Sequence, residues 1–116
     1  MIKLEEMDPV VGIRDQLSAS VEGPLVLVNV FHVAEDDTQA LLDAWKEDSH
    51  YFKSQPGLIS AQLHRGIAGS CTFMNYAVWE DLASFRAAFS NPVFQSKLAK
   101  YPDSATGSPT FSAKWL

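Results

Sequence analysis

Two stretches of the chain, LVLVNVFHV at 25–33 and CTFMNYAVW at 71–79, carry apolar side chains on both of their alternating faces. Successive side chains of a strand point to opposite sides. In the first stretch Leu25, Leu27, Phe31 and Val33 therefore share one face, and Val26, Val28 and Val30 share the other. In the second, Phe73, Asn75, Ala77 and Trp79 oppose Met74, Tyr76 and Val78. Strands apolar on both sides are ordinarily covered on both sides, so any fold of this chain has to supply two covering layers. Two amides, Asn29 and Asn75, interrupt the apolar rows. A buried amide without a partner costs about 1–3 kcal/mol, which makes both positions a question that packing alone does not answer.

The remaining elements fall around these strands. Residues 37–53 form a helical pattern whose stripe of Leu41, Ala44, Trp45, Asp48 and Phe52 is apolar except at Asp48, and Pro56-Gly57 ends it. LISAQLHRGI at 58–67 reads as a strand with Ile59, Ala61 and Leu63 facing away from Ser60, Gln62 and His64, and Ala68-Gly69-Ser70 turns it into the next. Asp81 is placed to cap a second helix carrying Leu82, Phe85 and Phe89. Ser90-Asn91-Pro92 breaks that helix, residues 93–100 continue it briefly, and TFSAKWL at 110–116 alternates as a half-buried edge strand.

The order β-α-β-β-α-β is that of an α+β, ferredoxin-like fold with a four-stranded antiparallel sheet. Two helices cover only one face of such a sheet. The apolar row on the other face calls for a second copy, sheet against sheet, as a homodimer. Residues 24–116 make up this domain, and residues 1–23 lie outside it as an N-terminal extension serving as a lid or a dimer arm. There Asp8-Pro9 is placed to start a short helix running to Leu17, with Val10, Val11, Ile13 and Leu17 as its apolar positions.

Composition narrows the partners. At 116 residues, 47% apolar and 20% charged, the chain suits one globular domain. A net charge of −5 with scattered basic residues argues against nucleic acid as a partner. Cys71 is the single cysteine, so neither an internal disulfide nor a cysteine-rich zinc site is expected, and His32, His50 and His64 lack ligand spacing. The start is too charged for a secretory leader and no window has the apolar length of a membrane span, so a cytoplasmic location is the expectation.

PGLISAQLHRG at 56–66, NYAVWED at 75–81 and FRAAFSNPVFQSKL at 85–98 resemble the antibiotic biosynthesis monooxygenase (ABM) domain of the dimeric α+β barrel superfamily, over roughly residues 24–100. The resemblance implies a pocket between helices and sheet. Family members include cofactor-independent oxygenases of anthrones or quinols and relatives that bind and degrade haem. Asn75 and Trp79 match the Asn and Trp that line the oxygenase pocket, while Asn29 matches an Asn of the haem-degrading branch. That branch carries an axial His where this chain has Leu98, and no His follows Asn75, which counts against haem. Where some oxygenases carry a Tyr, this chain has Phe85; the nearest cations are Arg86, read as a solvated helix charge, Lys97 and Lys100.

Dioxygen is a triplet, and its direct reaction with closed-shell molecules is spin-forbidden. An enzyme without metal or flavin therefore needs a substrate that becomes electron-rich once deprotonated, held in a dry slot with donors where charge develops. The expected catalytic groups are Asn75 and Trp79 as donors and His64 as base, whose ordinary pKa suits proton abstraction near neutrality. The expected substrate walls are Asn29, Trp45, Phe52, Tyr76, Phe85 and Phe89. No cofactor or metal is expected, and the partners are a small aromatic substrate and dioxygen. A plainer reading competes: Asn75 satisfies a backbone group, Trp79, Trp45 and Phe52 fill core, Tyr76 packs, and the chain is a non-catalytic small-ligand module.

Overall fold

The computed structural model describes residues 1–115. Its central pair is β2 (Leu25–His32) and β4 (Thr72–Trp79), antiparallel in full register from Leu25 opposite Trp79 to His32 opposite Thr72. β3 (Leu58–Arg65) flanks β4, β5 (Thr106–Ser112) flanks β2, and the two-residue β1 (Lys3–Leu4) runs parallel to β5. The sheet order is β1-β5-β2-β4-β3. The α+β ferredoxin-like core is thus present, but the sheet is five-stranded and mixed where four antiparallel strands were expected.

β5 also lies elsewhere than the alternation of TFSAKWL implies. The strand begins at Thr106, sits between β2 and β1, and leaves Ala113, Lys114 and Trp115 exposed beyond its end. Gly107 and Pro109 disguise it as a loop. Pro109 is tolerated because its missing N–H faces away from β2: the N–H of Phe111, two residues on, bonds the Gln16 side chain at 2.9 Å on that same side, where β1 has already ended. In β3 a bulge between Leu58 and Ser60 turns Ile59 out of the row it was assigned to and leaves it 56% exposed.

Among the described residues four α-helices accompany the sheet: α1 (Ile13–Leu17), α2 (Thr38–Lys53), α3 (Leu82–Phe89) and α4 (Pro92–Lys97). α1 starts later than Asp8-Pro9 suggested, because the Asp8 carboxylate closes a separate turn on the Val10 and Val11 N–H groups. Asp81 caps α3 by accepting from the Ser84 N–H at 2.7 Å, and Asn91 caps α4 through the Val93 N–H. No helix among the described residues is long and apolar enough to cross a membrane.

The helices stack on the sheet face that carries Leu25, Leu27, Asn29 and Phe31 of β2 and Phe73, Asn75, Ala77 and Trp79 of β4. The core there is divided in two. One cluster joins Leu41 and Ala44 of α2 to Phe31, Val33, Phe73 and Tyr101. The other joins Leu82, Phe85 and Ala88 of α3 to Leu25, Leu27, Ala77 and Trp79. Asn29 and Asn75 face each other across the central strands at the seam between the clusters. On the opposite face Met74 and Tyr76 are exposed, and Val26, Val28, Val30 and Val78 are half-buried.

The turn from α2 into β3 shows how tightly this arrangement is set. Gly57 has φ +94°, and a Cβ there would sit 2.3 Å from the Ser84 Cβ of α3. Gly23 has φ +83° with open space around it. Gly57→Ala combines dihedral strain with a clash and is expected to lose more than about 2 kcal/mol, against about 1 kcal/mol for Gly23→Ala. Urea unfolding of the two variants checks the ordering.

Candidate active site

Because the two clusters do not close over the amides, a cavity of about 260 Å³ remains between sheet and helices. Its floor is Asn29, Asn75, Ala77 and Trp79 of the central strands; its roof is Trp45, Asp48, Ser49 and Phe52 on successive turns of α2. Phe85 and Phe89 of α3 and Phe94 of α4 wall one end. Ile2, Leu4, Ile13, Arg14 and Leu17 from the first 23 residues close another.

Of the expected site residues the structure brings together Asn29, Trp45, Phe52, Asn75, Trp79, Phe85 and Phe89 around this space. It does not bring His64 or Tyr76. His64 pairs with Met74 and Tyr76 with Gln62 and Val28, all in rows that alternate onto the far face, where both side chains are exposed. The register alone removes His64 as a base for this cavity. Arg86 is also not a free surface charge: its guanidinium donates to the carbonyls of Leu17 and Ala19, and Gln16 bonds the Phe111 N–H and the Thr110 hydroxyl. These contacts fasten α1 beside the cavity.

Four buried side-chain atoms among the described residues have no hydrogen-bond partner: Asn29 Oδ1, Asn75 Oδ1, Trp79 Nε1 and Asp48 Oδ1. All four residues line the one cavity. Each such orphan costs about 1–3 kcal/mol, and core packing gives no reason for them to converge. Trp79 is 1% exposed and held edge-on by Phe52 and Phe85, with ring centroids 5.7 and 5.4 Å away, so its indole is fixed in place. Gly107 keeps room for the Asn29 amide; a Cβ there would lie 3.3 Å from Asn29 Oδ1 and 3.2 Å from Ile2 Cδ1.

Sequence reasoning passed over Asp48 as a functional group, although it registered as the one break in the apolar stripe of α2. Asp48 is 6% exposed, and its Oδ2 accepts a 2.5 Å hydrogen bond from the Tyr101 hydroxyl. Burial pushes its pKa up from 3.8 to about 6, against the opposing effects of the Tyr101 hydrogen bond and the Lys97 charge. Burial and the adjacent carboxylate push Tyr101 up as well, so it stays a donor.

The ABM family model, described as antibiotic biosynthesis monooxygenase, matches residues 24–99. This chain belongs to that family. Among solved structures, SnoaB from Streptomyces nogalater, a cofactor-independent oxygenase, is similar at 23% identity and a TM-score of 0.70, covering 81% of this chain and 95% of its own. A Shewanella loihica PV-4 protein, provisionally named a monooxygenase, is 25% identical with a TM-score of 0.71, covering 84% of this chain and 99% of its own. Rv0793 from Mycobacterium tuberculosis shares 14% identity and a TM-score of 0.68, covering 80% and 96%. No curated protein matches in sequence. Asn29, Asp48, Asn75 and Trp79 fall inside the ABM segment, whereas Tyr101 and the wall from residues 1–23 fall outside it.

The raised Asp48 pKa has a measurable effect on stability. The folded chain holds this proton more tightly than the unfolded chain, so its contribution favours folding at low pH and is lost as pH rises from 3.8 to about 6. The difference in unfolding free energy, Asp48→Asn minus wild type, is expected to grow by about 2–3 kcal/mol between pH 4 and pH 7. Denaturant titrations of both proteins at the two pH values read it directly.

Proposed function

We propose that this chain is a cofactor-independent monooxygenase that oxidises an electron-rich, hydroxylated aromatic of quinol or anthrone type with dioxygen to a quinone. The observation that carries the reading is the convergence of unpartnered buried polar atoms, those of Asn29, Asn75 and Trp79 foremost, on an otherwise apolar slot. A volume of about 260 Å³ is at the small end for ligand sites and suits a compact fused ring system.

For an anthrone the chemistry balances without an external reductant. The ring CH₂ becomes a carbonyl, one atom of dioxygen enters the product and the other leaves as water. Deprotonation makes the substrate an electron donor; one electron passes to dioxygen, and recombination at carbon gives a hydroperoxide that loses water. Trp45, Phe52, Phe85 and Phe89 keep the slot dry. The Trp79 indole N–H and the amide NH₂ groups of Asn29 and Asn75 donate to the substrate oxygens where negative charge builds, while the unpartnered Oδ1 atoms of the two amides accept from a substrate hydroxyl.

Removing one such donor typically costs about 10²–10³ in rate. Metal- and flavin-free protein is expected to consume dioxygen with 1,8-dihydroxyanthrone, with kcat falling about a hundredfold in Asn75→Ala and by a smaller factor in Trp79→Phe. An oxygen electrode decides it: identical rates in all three proteins would leave the assigned roles without support. Binding without oxygen uptake would instead favour a ligand-binding module, a reading to which Phe85, a non-ionisable ring in the wall, lends weight. Haem fits less well, since Leu98 lines the cavity and His32, His50 and His64 are all exposed away from it.

The same proposal includes a homodimer. The apolar row of Val26, Val28, Val30, Met74, Tyr76 and Val78 on the uncovered sheet face supports a second copy packing there, with Tyr76 and His64 in the interface. Val28→Asp is expected to yield monomer in sedimentation equilibrium while wild type sediments as dimer; a monomeric wild type would refute the pairing.

A further inference from the structure

Asp48 stands apart from the other orphaned groups. It sits on the roof, in α2, while the amides and the indole sit on the floor, in β2 and β4. A flat ring lying between sheet and helix would have the indole N–H and the two amides below it and a carboxylate above. One carboxylate oxygen is held by Tyr101, and the other, Oδ1, is buried and unpartnered. Helix packing does not need a carboxylate here, since Asn would accept the same Tyr101 hydrogen bond without a charge to desolvate.

We infer that Asp48 accepts the proton of a hydroxyl or enol group on the aromatic ligand, and that Tyr101 is its positioning residue. The inference rests on reading the cavity as a site for a hydroxylated aromatic. In the step, the ligand O–H bond breaks, the proton passes to Asp48 Oδ1, and the electron pair stays on the ligand oxygen. Nothing is oxidised or reduced until dioxygen reacts with the anion. The ligand enters neutral and leaves its proton on the roof; an already anionic ligand would be repelled.

The surroundings fit that task. The charges of Lys97 of α4, Lys100 of the following turn and Glu47 of its own helix act on Asp48, and Lys100 is paired with Glu47 at 2.7 Å. Tyr101 approaches from the segment after α4, and Arg14 lines the cavity from α1. At about 6 the Asp48 pKa leaves the group ionised at neutral pH yet more basic than an ordinary carboxylate. An unperturbed phenol near 10 is still about four pK units less acidic, and the floor donors are the groups available to close that gap by favouring the anion.

Two measurements separate this inference from the oxygenase reading. In oxygen uptake with 1,8-dihydroxyanthrone, kcat/KM is expected to rise along an acid limb near pH 6. Asp48→Asn should remove the limb and lower the rate about 10²–10⁴-fold. Tyr101→Phe should move the limb to higher pH, because the bond it deletes holds the Asp48 pKa down. In equilibrium binding at pH 7, followed by tryptophan fluorescence, wild type should prefer 2-naphthol over 2-methoxynaphthalene by about tenfold or more, and Asp48→Asn should abolish the preference. Near-UV circular dichroism confirms that the variants are folded. A wild type with no preference, or a preference or limb that persists in Asp48→Asn, overturns the inference. An Asp48-dependent preference without oxygen uptake supports it and overturns only the oxygenase reading.

Discussion

The pairing of β2 with β4 governs everything else in the molecule. Their full antiparallel register sets Asn29 opposite Asn75, Leu27 opposite Ala77 and Leu25 opposite Trp79, all on the face the helices cover. A shift of β4 by one residue would turn Asn75 and Trp79 onto the uncovered face and bring Tyr76 and Val78 beneath the helices, parting Asn75 from Asn29. Since both rows are largely apolar, hydrophobicity alone discriminates poorly between the two registers. The helix-side residues settle it by shape: Phe31 and Phe73 meet Leu41 and Ala44 on one side of the amides, and Leu25, Ala77 and Trp79 meet α3 on the other.

The cavity follows from this division. Two well-packed clusters bracket a band in which each central strand presents an amide where either cluster would have used a hydrocarbon. The helix above the band answers with a carboxylate, also without a full set of partners. A fold selected only for stability would exchange these groups for apolar ones of similar size. The unpaired atoms therefore mark the part of the molecule where polar chemistry outweighs packing.

Much of this was legible in the sequence. Two-sided hydrophobicity identified the central strands, Pro56-Gly57 and Asp81 bounded the helices, and the two interrupting amides, with Trp79 two residues beyond the buried Ala77, pointed to residues that line the cavity. What was not legible has local causes. Gly107 and Pro109 read as loop because the reason a proline is harmless there, a neighbouring strand that stops short, is a property of the assembled sheet. The bulge at Ile59 depends on how β3 meets β4, and alternation cannot report it. His64 was attractive for its ionisation range, yet its row faces the wrong way. Asp48 was visible as a flaw in an apolar stripe, but the value of that flaw emerges only when Tyr101, 53 residues later, is seen to hold one oxygen and leave the other free.

The cavity is built from two kinds of material. Its polar groups on strands and roof helix lie within the ABM-matched segment, but Ile2, Leu4, Ile13, Arg14 and Leu17 do not; the short pairing of β1 with β5 holds the first two, and contacts of Gln16 and Arg86 hold α1. Such a division lets the two parts vary separately: a change of length or bulk in the leading segment reshapes one wall of the hollow and leaves the strand and helix positions of Asn29, Asn75, Trp79 and Asp48 untouched.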